Sequence, residues 1–188
     1  MEPAYKRLTV EEFLDSCPDD WRHYQLIDGV IVAMAPPGGR HQVIAADLTF
    51  EIVTAVRANL PNCTVRSQAG IAPHGVKGRD HFETDITVSC ERRESYKGIV
   101  EEPLLIVEIL SPGTERDDVF VKLPAYQRIP SLEEILYVET EEIAATVYRR
   151  APEGWSTIPV GREERLLLET VGLDIALADL YRGISALL

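Results

Sequence analysis

Pro103-Leu104-Leu105-Ile106-Val107-Glu108-Ile109-Leu110-Ser111-Pro112 is an apolar run with one carboxylate set in its middle and a proline at each end. A run this short, rich in branched residues and closed by a turn signal, reads as a strand buried on both faces. An ionised carboxylate in such a place is costly unless a cation or hydrogen bonds compensate it. Something nearby must therefore answer the charge of Glu108: a metal ion, Lys122, or another acid that shares a metal or a proton. This strand is the expected carrier of an active site.

The run is preceded by strand-like alternation from Phe82 to Cys90, in which Ile86 and Val88 are apolar and Thr84, Asp85 and Thr87 are polar. Cys63 to Ala72 reads as another strand. Pro73 to Asp80 reads as a flexible loop, and Arg92 to Glu102 as a charged one. After the run comes a polar loop, Gly113 to Asp118. A helix is expected from about Asp118 to Arg128, complicated by Pro124, which removes a helical hydrogen bond. Ile135–Val138, Ala144–Arg149, Trp155–Val160 and Arg165–Leu168 are strand candidates, and Ala176–Leu187 reads as a closing helix.

Towards the N-terminus, Thr9-Val10-Glu11-Glu12 forms a capping box for a helix running to about Ser16. Tyr24 to Met34 reads as two strands around the Asp28-Gly29 turn, a dipeptide suited to the positive φ angles of tight hairpins. Val43, Ile44, Leu48, Ile52, Val53 and Val56 recur at helical spacing, predicting a long helix from about His41 to Asn59. The pattern fits one domain over residues 1–188, of mixed α/β (α+β) class, with a central mixed sheet.

The length, 188 residues, is ample for a core, and the net charge of −12 reads first as a soluble surface and argues against a broad basic nucleic-acid-binding face. It is compatible with a nuclease whose acids gather at a metal. Cys17, Cys63 and Cys90 are odd in number and lack a C-x-x-C, which predicts reduced thiols and a cytoplasmic protein rather than a disulfide framework or structural zinc. No apolar segment is long enough to span a membrane, and the N-terminus lacks a signal-peptide core.

Three positions stand out for chemistry: Asp85, Glu108 and Lys122. On neighbouring strands the two carboxylates can converge on one hard cation such as Mg²⁺, with waters filling its remaining positions. A nearby ammonium can orient a water or neutralise developing charge. Two acids and a lysine are common, and a solvated aspartate beside a simple buried salt bridge explains the same residues. His41 can face the same cleft or stand as a surface histidine near a helix start. Tyr126, four residues after Lys122, reads more readily as core than as catalytic. No nucleotide-binding glycine motif is present.

Taken together, several segments resemble the Uma2 family of restriction-endonuclease-like proteins. They are Tyr24–Ile31, Met34–Pro37 with His41, Thr84-Asp85-Ile86, Pro103–Pro112, then Asp117, Lys122, Tyr126 and Glu134–Val138. The resemblance runs from about Thr9 to Arg149. It implies a PD-(D/E)xK nuclease fold, a central mixed sheet flanked by helices, and hydrolysis of nucleic acid, DNA foremost, with Mg²⁺ or Mn²⁺. Asp85 and Glu108 take the places of the metal-binding acids. Leu110 stands where the usual motif lysine falls, and Lys122, from the next helix, matches the family's substitute. Gln25 occupies a position where the family tends to carry glutamate. With His41 it is expected on the substrate side of the cleft, and a neutral amide there cannot contribute charge.

That substitution and the acidic surface carry an alternative: a catalytically weak or inactive nuclease-fold protein serving as a binding or assembly module. A small-molecule enzyme using the same acid–lysine cluster ranks last. A homodimer is expected, with Ile135–Val138 and the Leu-rich tail as candidate contacts, although buried core explains both equally. On the nuclease reading, Glu108→Ala and Lys122→Ala each abolish cleavage with little loss of folding.

Overall fold

The computed structural model describes residues 6–18, 20, 22–91, 96–111 and 118–184, without the side chains of Tyr96 and Asp118. Pro112, the expected loop from Gly113 to Asp117, and the last residues of the expected closing helix lie outside them.

The sequence around Glu108 forms β6 (Pro103–Leu110) inside a seven-stranded mixed sheet. Its other strands are β3 (Thr64–Ile71), β4 (Phe82–Ser89), β5 (Ile99–Val100), β7 (Glu134–Glu139), β8 (Ala144–Ala151) and β9 (Gly154–Gly161), in the order β5-β3-β4-β6-β7-β8-β9. β6 runs antiparallel to β4 and parallel to β7, so the Glu108 strand is interior. Two antiparallel pairs stand apart from the sheet: β1 (Tyr24–Ile27) with β2 (Val30–Ala33), and β10 (Arg165–Leu168) with β11 (Leu173–Ala176). Asp28 and Gly29 both take positive φ, 46° and 77°, as the Asp-Gly hairpin signal requires. The Leu26–His81 bridge, with the Asp28 and Gly29 N–H groups donating to Asp80 and Arg79, fastens this hairpin to the start of β4.

Two layers cover the sheet. On one face the long helix α2 (Gly39–Asn59) buries Ile44, Leu48, Ile52 and Val56 against Ile86, Val88, Leu105, Val107 and Ile109. Fully buried aliphatic side chains of this kind contribute on the order of 1.5–3 kcal/mol each. The other face packs Ile106 and Leu110 against Ala125, Tyr126, Ile129 and Leu132. The alternation along β6 is thus complete: odd residues meet α2, even residues meet the segment that carries Lys122 and Tyr126. Helix α1 (Val10–Ser16) has the capping box, Thr9 accepting from the Glu12 N–H and Glu12 accepting from the Thr9 N–H.

Several expectations are corrected. The helix expected over Asp118–Arg128 is a π-helical turn, Asp118–Lys122, running into a four-residue α3, Leu123–Tyr126. Pro124 has no N–H for a regular bond back to Phe120, and the wider turn precedes it. The closing helix is a short 3₁₀ segment, Leu177–Tyr181, preceded by the unforeseen β11. The charged loop before Glu102 contains a 3₁₀ turn, Tyr96–Gly98, and β5.

The expectation of three reduced thiols also fails. Cys63 and Cys90 form a disulfide beside the ends of β3 and β4, and only Cys17 is free. They share the register of the strand pair, which places them directly opposite each other across 27 residues of chain. Ile135–Val138 is not available for a dimer contact, because β7 is enclosed between β6 and β8 and all four residues are buried. Among the described residues no helix is long and apolar enough to cross a membrane.

Candidate active site

Asp85 and Glu108 lie on adjacent antiparallel strands. The β4–β6 ladder begins at Ile86 opposite Val107, one residue short of both acids. Beyond it Asp85 Oδ2 accepts the N–H of Ile109 at 2.7 Å, so the side chain of the first acid replaces a backbone partner. Its other oxygen, Oδ1, lies 3.0 Å from Nε2 of His41, in the first turns of α2.

Glu108 is 3% exposed, and its charge is answered from α3 and the turn before it. Its Oε1 accepts from Lys122 Nζ at 3.1 Å and from the Tyr126 hydroxyl at 2.7 Å. Lys122, itself 5% exposed, and Tyr126 are four residues apart and approach the same oxygen, which follows from a helical path that continues through Pro124. Tyr126 is both core, edge-to-face with Phe82, and a donor to the buried carboxylate. The expectation that it serves as core covers only half of what it does.

These groups share one cleft of about 300 Å³. Asp85, Glu108, Lys122 and His41 all line it, so the structure brings together four of the five positions singled out by sequence. Gln25 is the exception. It is not on the cleft wall but is 7% exposed within β1, with its Oε1 buried and unpartnered among the described residues. Ile27, on the same strand face, packs into the Ile106–Tyr126 layer, which places the Gln25 side chain on the Glu108 side of the sheet. Its buried carbonyl is an acceptor that lacks a donor, and such atoms are uncommon. His41 Nδ1 is also buried without a hydrogen-bond partner among the described residues.

The wall also carries Arg22, His23, Gln68, Glu83 and Ser111. His23 Nδ1 pairs with Glu83 at 2.8 Å. Glu83 was within reach of the sequence, since it stands two residues before Asp85 on one strand. Gln68 was not, because it comes from β3 with no local signal.

The donor set is one of hard oxygens. Among the described residues no three His, Cys, Asp or Glu side chains are grouped to hold an ion, so a closed all-protein cage is not formed. Two carboxylates on adjacent strands fit a hydrated hard cation such as Mg²⁺, which keeps several waters and uses one or two carboxylates. A structural tetrahedral zinc site built on cysteine and histidine is not formed among the described residues.

Comparison with known proteins bears on the family and the fold. The family model Uma2, described as "Putative restriction endonuclease", matches residues 10–178. The uncharacterized protein slr1290 of Synechocystis sp. (strain ATCC 27184 / PCC 6803 / Kazusa) is 26% identical over 183 residues, covering 96% of this chain and 95% of the relative. A crystal structure described as "a putative nuclease belonging to DUF820", from Anabaena variabilis ATCC 29413, superposes with a TM-score of 0.75 at 20% identity. The match covers 93% of this chain and 97% of that one. At that identity the likeness is one of fold, and the fold is the central mixed sheet with flanking helices.

Proposed function

This chain belongs to the Uma2 family, and from that premise we propose that it is a metal-dependent endonuclease hydrolysing phosphodiester bonds of nucleic acid, with DNA the first substrate to test. One observation carries the proposal: Asp85, Glu108 and Lys122, from β4, β6 and the turn before α3, open onto a single cleft. Asp85 and Glu108 would hold Mg²⁺ or Mn²⁺. When bound, the cation supplies Lewis acidity to a phosphoryl oxygen and to the attacking water.

The chain's own residues do the rest. The Ile109 N–H and His41 hold the Asp85 carboxylate from two sides, fixing its direction without a rotamer search. Tyr126 and Lys122 both donate to the buried Glu108 carboxylate and hold it in place. Lys122 is the group nearest Glu108 able to neutralise charge developing on the phosphate. Arg22 and His23 bring cationic or protonatable groups to the wall of an otherwise acidic protein, where a phosphate backbone would approach.

The test is cleavage of supercoiled plasmid, single-stranded DNA and structured RNA with Mg²⁺, Mn²⁺ or EDTA, using the wild type and Asp85→Asn, Glu108→Gln and Lys122→Met. Cation-dependent cleavage lost in all three variants is the expected result. A wild type that cuts none of these substrates with either cation would overturn it and leave the nuclease-fold binding module.

A further inference from the structure

Gln68 adopts φ 53° near the middle of β3. A non-glycine residue with left-handed backbone is uncommon anywhere, and within a strand it interrupts the pleat. The β3–β4 register is continuous on both sides, Ser67 with Ile86 and Ala69 with Thr84, which places Gln68 opposite Asp85. That pair alone is skipped within the ladder. Since the β4–β6 ladder also stops at Ile86, Asp85 is the residue of β4 released from pairing on both sides.

The side chains record a roll of both strands at this point. In a regular strand residues four apart share a face. Yet Val65 packs in the α2 layer and Ala69 in the opposite layer, and on β4 Ile86 is in the α2 layer while Phe82 is in the other. The hydroxyls of Thr84 and Thr87, which a regular strand would place on opposite faces, are hydrogen-bonded at 2.7 Å. The Thr84 hydroxyl also donates to the carbonyl of Ala69, bracing the roll across the pair. Both strands change face between one side of Gln68/Asp85 and the other.

Resting on the metal-dependent reading of the cleft, we infer that Gln68 is the positioning residue for Asp85. Its left-handed backbone rolls the β3–β4 pair, takes Asp85 out of the ladder and turns its carboxylate to the Ile109 N–H, His41 and the cation. Strain of this kind persists where the surroundings over-determine it, and it is concentrated at functional sites. It is the backbone conformation that matters, so residues tolerant of left-handed φ should substitute, and a β-branched residue should not.

The experiment compares Gln68→Gly, Gln68→Asn and Gln68→Val by Mn²⁺ titration calorimetry, by the amide resonance of Ile109 in ¹⁵N-labelled protein, and by thermal unfolding. Gly and Asn should keep the Ile109 resonance and bind Mn²⁺ within about threefold of wild type. Gly should unfold at a temperature equal to or above that of the wild type. Val should shift the resonance and weaken Mn²⁺ about tenfold or more, the scale of a strained-backbone penalty. A Val variant with resonance and affinity unchanged would overturn the inference, as would a Gly variant that shifts the resonance or unfolds earlier. If Val does not fold, the Gly and Asn results still decide. If the wild type binds no Mn²⁺, the metal reading fails by itself, and the Ile109 resonance still reports on Asp85.

Discussion

The Ile109 N–H donates to Oδ2 of Asp85 at 2.7 Å, so the first acid of the cleft is fastened to the strand that carries the second. The bond sets the spacing of the acids through the backbone, and it gives Asp85 a structural duty separable from its charge. Asp85→Asn keeps an acceptor for Ile109 and should stay within about 1 kcal/mol of wild-type stability, whereas Asp85→Ala orphans that N–H and should lose about 1–3 kcal/mol. Urea unfolding separates the two. Both should abolish cation-dependent cleavage.

Burial changes what is expected of Lys122 and Glu108. Their pair is nearly sealed from solvent, so removing one partner leaves a buried charge. Lys122→Ala and Glu108→Ala should therefore each lose roughly 3–5 kcal/mol, rather than folding normally as the sequence suggested. The double variant Lys122→Met/Glu108→Gln should recover much of that loss while remaining inactive. Tyr126→Phe removes one donor to Glu108 and should cost about 1–3 kcal/mol. Denaturation midpoints of the four variants check the set.

His81 makes stability fall in acid. Burial against Phe13 and Gly70 pushes its imidazole down from 6.5 to about 4. Between those values the unfolded chain binds a proton that the folded chain does not, so stability decreases as pH falls through the window and is insensitive to His81 above it. The full effect is roughly 3 kcal/mol. Denaturation between pH 7 and pH 4 should show this loss in the wild type and less of it in His81→Phe.

The same ring makes Gly70 indispensable. A Cβ there would overlap His81 Nε2, and Phe13 lies against the ring at a tilt, 5.2 Å between centroids. Gly70→Ala should lower stability by about 1–3 kcal/mol as an overpacked site. Gly70→Ala/His81→Ala should lose less than the two single changes added together.

Reduction of the Cys63–Cys90 bond should lower the unfolding midpoint. Opening a loop of 27 residues of separation corresponds to about 3.5 kcal/mol on the chain-entropy account. Denaturation with and without dithiothreitol measures it, and Cys63→Ala/Cys90→Ala should lie near the reduced protein and lose its response to the reductant.

Local pattern was enough for most elements. The capping box at Thr9, the Asp28-Gly29 turn, the helical period from Val43 to Val56 and the apolar run around Glu108 all act within a few residues, and all appear as read. Pro124 flagged the right place in the chain, where a π-helical turn runs into a four-residue helix. The residue types of the site were legible too, since a glutamate in an apolar strand demands a partner.

Which partners it has could be decided only by the tertiary structure. Asp85 meets Ile109 and His41, and Glu108 meets Lys122 and Tyr126, because β4, β6, α2 and α3 converge there from positions up to 85 residues apart. The roll at Gln68 and the pairing of Cys63 with Cys90 are likewise properties of the β3–β4 register, invisible to composition and spacing. Most of the strands, the long helix and the buried acid follow from the sequence, because hydrophobic period and turn chemistry are local. Tertiary structure decided the direction of each carboxylate, because direction is set by hydrogen bonds and packing between segments remote in the chain.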